Sequence, residues 1–487
     1  MHLTSLSTAV IAILASIPTA VADTQTTIDP SRKHGTWEGW GVSLAWWAKA
    51  FGDRDDLADL FFTTKTHQFQ GRQLPGLGFT IARYNAGATS SRSFNGESIR
   101  LSPNIKPSRQ MEGFWLDWAS SDPASGSWNW SADAKQRLML QKAKTRGANI
   151  FELFSNSPMW WMCSNHNPSG NDKASRDNLQ SWNYGQHAVY LANIEEHARR
   201  NWGIEFQSVE PFNEPSTAYW HSKGTQEGSH FGIRTMDSVV ALLKREMSER
   251  GSQAWIAASD ETSYDDAVRT WKGMQQATKD AVQRINVHGY QGAGGARDKL
   301  YDLAQESGKR LWNSEYGDGD ATGKRMAQNL LLDFTYLHPT AWVYWQAIDG
   351  GGWGLIGGDN DGKTLAGANT KYFVLAQFAR HIRPGMTILR GSKTDRSADT
   401  VAAYDAARKV LIIVAANWGK AQYRTFDLSA FASAGKQGDL VRRWRTVLDG
   451  SKLYEEKADS FLQAGSRFWS WFEGDSVQTF EVRGVLL

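Results

Sequence analysis

The sequence predicts an α/β fold, a (β/α)8 TIM barrel with an appended all-β sandwich domain, and three observations carry that prediction. Between residues 36 and 383, eight short β-type runs alternate with amphipathic segments, the pattern of parallel strands joined by crossover helices. The phosphate-binding glycine turns of an open, doubly wound nucleotide-binding sheet are missing. Gly292-Ala293-Gly294-Gly295 runs on to Arg297 where a last glycine would stand, and Gly323-Lys324 is followed by Arg325. After Arg383-Pro384-Gly385 the texture changes to short alternating or apolar runs punctuated by Gly, Asp, Ser and Lys.

In chain order, the barrel strands are expected at 39–45, 78–84, 148–154, 205–211, 254–259, 284–287, 310–314 and 341–345. Helical segments such as 132–146, 184–202, 234–251 and 323–337 lie between them. Eight is the number of parallel strands that closes such a barrel. The β-domain is expected to hold strands at 401–404, 410–415, 423–428, 440–448, 468–472 and 477–482. Residues 24–33, which precede the first barrel strand, are expected to give it an edge strand. The division is therefore a catalytic barrel over 36–383 and a sandwich over 23–35 plus 384–487. With neither an internal repeat nor a low-complexity linker, the two are expected to pack rigidly together.

Ahead of both domains, residues 6–21 form an apolar stretch broken at Pro18, and Ala20-Val21-Ala22 fits a small-x-small cleavage pattern. Residues 1–22 read as a secretory signal peptide, so the mature protein is expected to be extracellular. The run is shorter than the ~20 residues that span a bilayer, so no membrane association is expected after cleavage. A single cysteine, Cys163, excludes an intramolecular disulfide framework and leaves the fold to core packing. The 54 Lys and Arg against 51 Asp and Glu give a net charge of +3 without charged blocks, so the electrostatic footprint of a nucleic-acid binder is absent. A neutral partner fits better, and 23 Trp, more than the 21 Phe or the 14 Tyr, supply flat apolar faces for one. The protein is expected to act as a monomer. Asn129-Trp130-Ser131 is a usable glycosylation acceptor.

In such a barrel the working residues sit just past the C-terminal ends of the strands. Strand four delivers Asn213-Glu214-Pro215 and strand seven delivers Glu315-Tyr316-Gly317. Two carboxylates across a cleft suit glycoside hydrolysis: one protonates the leaving oxygen while the other attacks the anomeric carbon or activates water. Asn213 is placed to hold a sugar 2-hydroxyl, and Tyr290 or Tyr316 to donate a hydrogen bond that keeps a carboxylate ionised. Glu210, four residues earlier and deeper in the barrel, reads as structural. No metal or other cofactor is expected. The eleven histidines include no HExxH pair, Asp359-Asn360-Asp361-Gly362 lacks the rest of a calcium loop, and no GxSxG elbow occurs. Cys163 has no thiolate-stabilising neighbour in sequence and is expected to be inert.

These strand ends, with His288-Gly289-Tyr290 after strand six and a terminal β-domain after Ile382-Arg383-Pro384-Gly385, resemble glycoside hydrolase family 30, part of a large clan of retaining (β/α)8 glycosidases. The resemblance covers nearly all the mature chain. Asn-Glu-Pro is shared across much of that clan and speaks for mechanism more than substrate. More specific are Trp40-Gly41-Val42-Ser43-Leu44-Ala45-Trp46-Trp47-Ala48, Ile81-Ala82-Arg83-Tyr84-Asn85-Ala86-Gly87, Ser155-Asn156-Ser157-Pro158-Met159-Trp160-Trp161-Met162 and Tyr344-Trp345-Gln346-Ala347-Ile348-Asp349. Together these look most like the family's fungal endo-β-1,6-galactanases. The resemblance implies a retaining enzyme with Glu214 as acid/base and Glu315 as nucleophile, cutting internal β-1,6-galactosyl bonds of galactans and arabinogalactan side chains.

Beside that reading, Arg83 is placed to pair with the nucleophile and lower its pKa, and His288 to orient Glu214 or touch substrate. Trp160 and Trp345 are expected to stack on sugar rings, with Trp46, Trp47, Trp161 and Trp353 as further candidates. Asp53 and Asn85 are candidates for the axial 4-hydroxyl of galactose. Two rivals remain: the same mechanism on β-1,6-glucan or xylan, and a non-catalytic carbohydrate-binding protein that keeps the barrel as a scaffold.

Overall fold

The computed structural model describes residues 24–391 and 398–487, so the expected signal peptide at 1–22 lies outside the described residues. Eight parallel strands close into a barrel: Gly39–Ser43, Ile81–Asn85, Ile150–Phe154, Ser208–Glu210, Trp255–Glu261, Val282–His288, Arg310–Tyr316 and Ala341–Tyr344, the last pairing back onto the first. Each overlaps one of the eight runs expected from sequence. Such strands are covered on both faces, as in Ile81–Asn85, where all five residues are buried, so they lack a clean apolar-polar alternation. The fourth strand is shorter than expected, starting at Ser208 and ending at Glu210, where Pro211 has no N–H to continue the ladder.

The crossover helices form the outer layer. Ile233–Glu249 turns Val239, Val240, Leu243 and Met247 inward. Tyr264–Gly273 begins at Ser263, whose side chain accepts the Asp266 N–H at 3.1 Å and so satisfies one of the helix's orphan donors. Thr370–Ala379 is buried almost all round, because it lies between the barrel and the second domain. From it, Gln377 Nε2 donates to Thr446 Oγ1 at 2.9 Å, and Thr479 Oγ1 donates to the Gln377 carbonyl at 2.8 Å. Among the described residues no helix is long and apolar enough to cross a membrane.

The second domain is a nine-stranded sheet folded over its own core. Strand Val410–Asn417 explains why its sequence is a continuous apolar run. Leu411, Ile413 and Ala415 face the sandwich core, while Ile412, Val414 and Ala416 join the cluster that continues into the barrel's helical layer. Strand Arg467–Phe472, at the sheet's edge, alternates instead, burying Phe468, Ser470 and Phe472 and exposing the residues between. Thr24–Thr36, expected at an edge, lies inside the sheet. Its first four residues pair in parallel with Gln422–Asp427, and from Ile28 onward it pairs antiparallel with Thr387–Gly391. One long strand thus links two parts of the sandwich, turning at register shifts between Ile28 and Thr36.

Candidate active site

Glu214 and Glu315 reach one point at the C-terminal mouth of the barrel by different routes. Glu315 is the penultimate residue of the seventh strand, so its position is set by the barrel ladder. Glu214 lies four residues past the fourth strand and has a left-handed backbone, φ 50°. Its N–H donates to the Asp260 carbonyl at 2.8 Å, and its own carbonyl accepts the Trp220 indole N–H at 3.0 Å. That conformation is disfavoured for a residue with a Cβ, and the two bonds help hold it in place.

His288, the last residue of the sixth strand, stands between the two carboxyls. Its Nδ1 is 3.0 Å from Glu214 Oε1 and 3.5 Å from Glu315 Oε1, and its Nε2 is 3.1 Å from Asp260 Oδ1. Tyr290 donates its hydroxyl to Glu315 Oε1 at 2.8 Å, while Arg83 donates to Glu315 Oε2 at 3.1 Å. A ligating atom from each of Glu214, His288 and Glu315 lies within 4.8 Å of the other two. Among the described residues this is the group whose spacing would suit a metal ion. Burial disfavours the His288 cation, yet Glu315 and Asp260 carry the imidazole well above its ordinary range. A protonated ring offers these carboxylates a donor and no lone pair for a cation.

The pair is supported from below by fully buried charges. Arg83 bonds Glu152 at 2.8 Å and Asp260 at 2.7 Å as well as Glu315, and Arg284 bonds Glu152 and stacks 3.4 Å from the Trp312 ring centroid. Burial alone would raise Asp260, but Arg83 and His288 hold it below the usual carboxylate range. Burial pushes Glu315 up to about 7, with His288 and Arg83 pulling the other way. Glu210 is raised well above its ordinary range by burial and by the Asp260 and Glu152 charges.

Glu214, Tyr290, Glu315 and Trp345 line a cavity of about 550 Å³, with Trp46, Trp220, Trp353, Thr262, Arg109 and Asp349 among its other walls. Trp345 meets Trp46 edge-on, ring centroids 5.1 Å apart, and Arg109 lies over the Trp46 ring at 4.3 Å. The other expected residues stand elsewhere. Arg83 and His288 are fully buried beneath the two carboxyls. Asn213 is buried next to Glu214, its Oδ1 unpaired among the described residues. Trp160 is core, set edge-on to Trp118 and His166, and does not line the cavity. Trp47 is core, Asn85 is buried below the mouth, and Asp53 is paired at 2.9 Å with Lys135 away from the cavity. Cys163 is buried and its thiol is pushed up to about 12. Asp260 was missed by the sequence reading although it follows the fifth expected strand directly, where a search for polar residues past strand ends would find it.

The chain matches a family model described as O-glycosyl hydrolase family 30 over residues 23–279. It is 62% identical over 468 residues to an endo-beta-1,6-galactanase of Hypocrea rufa, an alignment that covers 96% of each chain. Among solved structures, a conserved exported protein of Bacteroides fragilis superposes with a TM-score of 0.78 at 20% identity, over 94% of this chain and all of that one. The catalytic domain of a GH30 xylanase C of Talaromyces cellulolyticus gives 0.68 at 19% identity, covering 94% of this chain and 99% of its own. At these identities the two structures speak for the fold alone.

Proposed function

The chain belongs to O-glycosyl hydrolase family 30, and from that premise we propose that it is a secreted, retaining endo-β-1,6-galactanase acting on galactans and arabinogalactan side chains. One observation carries the mechanism: oxygen atoms of Glu214 and Glu315 lie within 4.8 Å of each other. Retaining glycosidases keep their carboxyls about 5–5.5 Å apart, whereas inverting ones need about 6.5–9.5 Å to admit water between acid and base. In the first step, protonated Glu214 gives its proton to the glycosidic oxygen as that bond breaks. The Glu315 carboxylate adds to the anomeric carbon to form a glycosyl ester. In the second, Glu214 takes a proton from water, the water oxygen replaces Glu315 at the same carbon, and two displacements restore the β configuration.

The buried groups support these roles. Arg83 and Tyr290 donate to Glu315, and the His288 cation lies beside both carboxyls, so the ionised nucleophile has donors even though burial pushes its pKa up. The tryptophan-lined cavity offers apolar faces to the C–H surfaces of the sugar. The 62% identity to the Hypocrea rufa enzyme supports the galactan specificity. The apolar stretch and cleavage pattern in residues 1–22 support export.

The proposal is tested by comparing initial rates and product lengths on β-1,6-galacto-oligosaccharides, β-1,3-galactan, β-1,6-glucan and xylan. Short β-1,6-galacto-oligosaccharides from the first substrate, with little action on the others, are expected. Faster release from xylan or β-1,6-glucan would overturn the specificity and leave the mechanism standing, and no turnover of any would favour a binding protein. Proton NMR in the first minutes should show the β-anomer, since early α-anomer would mean inversion. Mass analysis of protein exported by a fungal host should find an N-terminus at Asp23.

A further inference from the structure

A second concavity, about 670 Å³, opens on the same face of the barrel. Its walls come from residues 97–121, in the loop that leaves the second strand, and from 161–186, which follow the third. Both sets leave strand C-termini, as the loops bearing Glu214 and Tyr290 do. The groove and the catalytic cavity have no lining residue in common. They are nonetheless bolted together. The segment that carries Glu97 to the groove ends in Arg109 at the cavity, and on the way Ser102 Oγ donates to the Gly224 carbonyl at 2.6 Å and Asn104 Nδ2 to the Lys223 carbonyl at 2.9 Å. Lys223 and Gly224 line the cavity.

The chemistry of the groove is that of a sugar site. Its floor is Trp115 and Trp161, both buried, edge-on at 5.0 Å, with their indole N–H groups spent on the Ser120 and Trp115 carbonyls. Its rim is Trp118, 37% exposed, and Trp182, 72% exposed on the turn Ser181–Asn183. Packing does not account for an indole left that far in water. Among the described residues neither rim indole N–H has a hydrogen-bond partner, and neither does the Gln186 amide. The site thus presents apolar ring faces and unspent donors and acceptors side by side, which is what the C–H face and hydroxyl edge of a pyranose require. Glu97, the one Asp, Glu, Lys or Arg in its lining, is turned onto His166 Nδ1 at 3.2 Å, so the groove favours a neutral ligand over a charged one.

We propose that this groove is a second glycan-binding site, which grips a stretch of the same polymeric β-1,6-galactan away from the bond being cut. The proposal rests on the galactanase reading for the identity of the sugar. Its test is the double variant Trp118→Ala/Trp182→Ala, studied in the wild type for rates and in the Glu315→Gln background for binding. Binding of the inactive enzyme to polymeric β-1,6-galactan should weaken roughly tenfold when the two rim indoles are removed. In the active enzyme, kcat/KM on a β-1,6-galactotetraose, a short substrate cut at the catalytic cavity, should stay within about twofold of the parent. Unchanged affinity for the polymer would overturn the proposal, and so would an equal loss on polymer and tetraose, which would make the groove part of the catalytic cleft. The thermal midpoint of the double variant separates lost binding from lost fold, and the single variant Trp182→Ala, at the most exposed position, repeats the test with least disturbance of packing. Turnover of the tetraose by the unmodified enzyme is the separate arm that reports on the galactanase reading itself.

Discussion

The lumen of the barrel buries Arg83, Glu152, Asp260, Arg284 and His288, whereas the interior of the sandwich buries Phe426, Phe468, Phe472 and Phe480. In the sandwich the rings meet at centroid distances of 4.9 to 6.3 Å, and each is worth about 1.5–3 kcal/mol on burial. In the lumen each charge pays desolvation, and the ion pairs at best repay it, so a buried network of this kind is neutral or costly for stability. The same closed-off interior volume is used in one region to hold the fold together and in the other to hold two carboxylates in place. A single chain can carry the second kind because apolar burial, in the sandwich and in the separate cluster of the helical layer around the barrel, offsets its cost.

The strongest test of that contrast is Glu315→Gln. Turnover should fall about 10⁴-fold or more, as when a nucleophile is removed, while the thermal midpoint holds or rises because one buried charge is gone. A midpoint that fell as far as that of a core truncation would make Glu315 a structural residue and break the comparison. Phe426→Ala should do the reverse, costing about 3–5 kcal/mol in urea unfolding with kcat per folded molecule unchanged. Loss of kcat in the folded fraction would mean that the two interiors are coupled.

Asp260→Asn sharpens the contrast within the lumen, since Asp260 touches Arg83 and His288 but does not line the cavity. A roughly 10- to 100-fold loss of kcat/KM is expected, about 1.4–2.7 kcal/mol. The alkaline limb of the pH profile should move to lower pH, because His288 loses one of the two carboxylates that keep it protonated. An unmoved limb with the same loss would assign Asp260 a packing role only.

The smallest effect per step is on stability and comes from Glu227, buried beside the barrel mouth. It accepts bonds from Thr89 Oγ1 at 2.6 Å and the Met111 N–H at 3.0 Å, and burial pushes it up from 4.5 to about 8. The folded state therefore keeps a proton that the unfolded chain gives up, and its stabilising contribution is complete below about pH 4.5 and lost as pH rises through about 8. Between those limits the parent should lose up to about 1.4 kcal/mol per pH unit more than Glu227→Gln. The cost of Phe426→Ala should not vary over the same range. Parallel stability curves for the parent and Glu227→Gln would remove Glu227 from the set of costly charges.

The barrel was legible because eight apolar runs with helical spacers allow few arrangements, and the two glutamates because strand C-termini are where such a barrel works. What escaped was set by neighbours distant in sequence. Glu455–Phe461 is a strand although five of its seven side chains are polar and only Ser460 is buried, since its partner Leu440–Val447 supplies the ladder. Trp160 and Trp345 look alike in sequence, each following a strand, but Trp345 opens onto the cavity while Trp160 is roofed by Trp118 from another loop. Arg83 could be placed near Glu315 from its strand. Its simultaneous grip on Glu152 and Asp260 depends on barrel closure, which local pattern does not encode.

The strand Thr24–Thr36 is translated before any barrel strand, yet it is paired on both sides by segments made after the barrel is complete. Gln25 and its partner Asp427 are 402 residues apart. On the ribosome this segment must wait unpaired until nearly the whole polypeptide has emerged. Its loop is among the longest in the molecule to close. A nascent chain stalled before residue 422 would hold all eight barrel strands and still lack one of the two partners of its first strand, Thr24–Thr36.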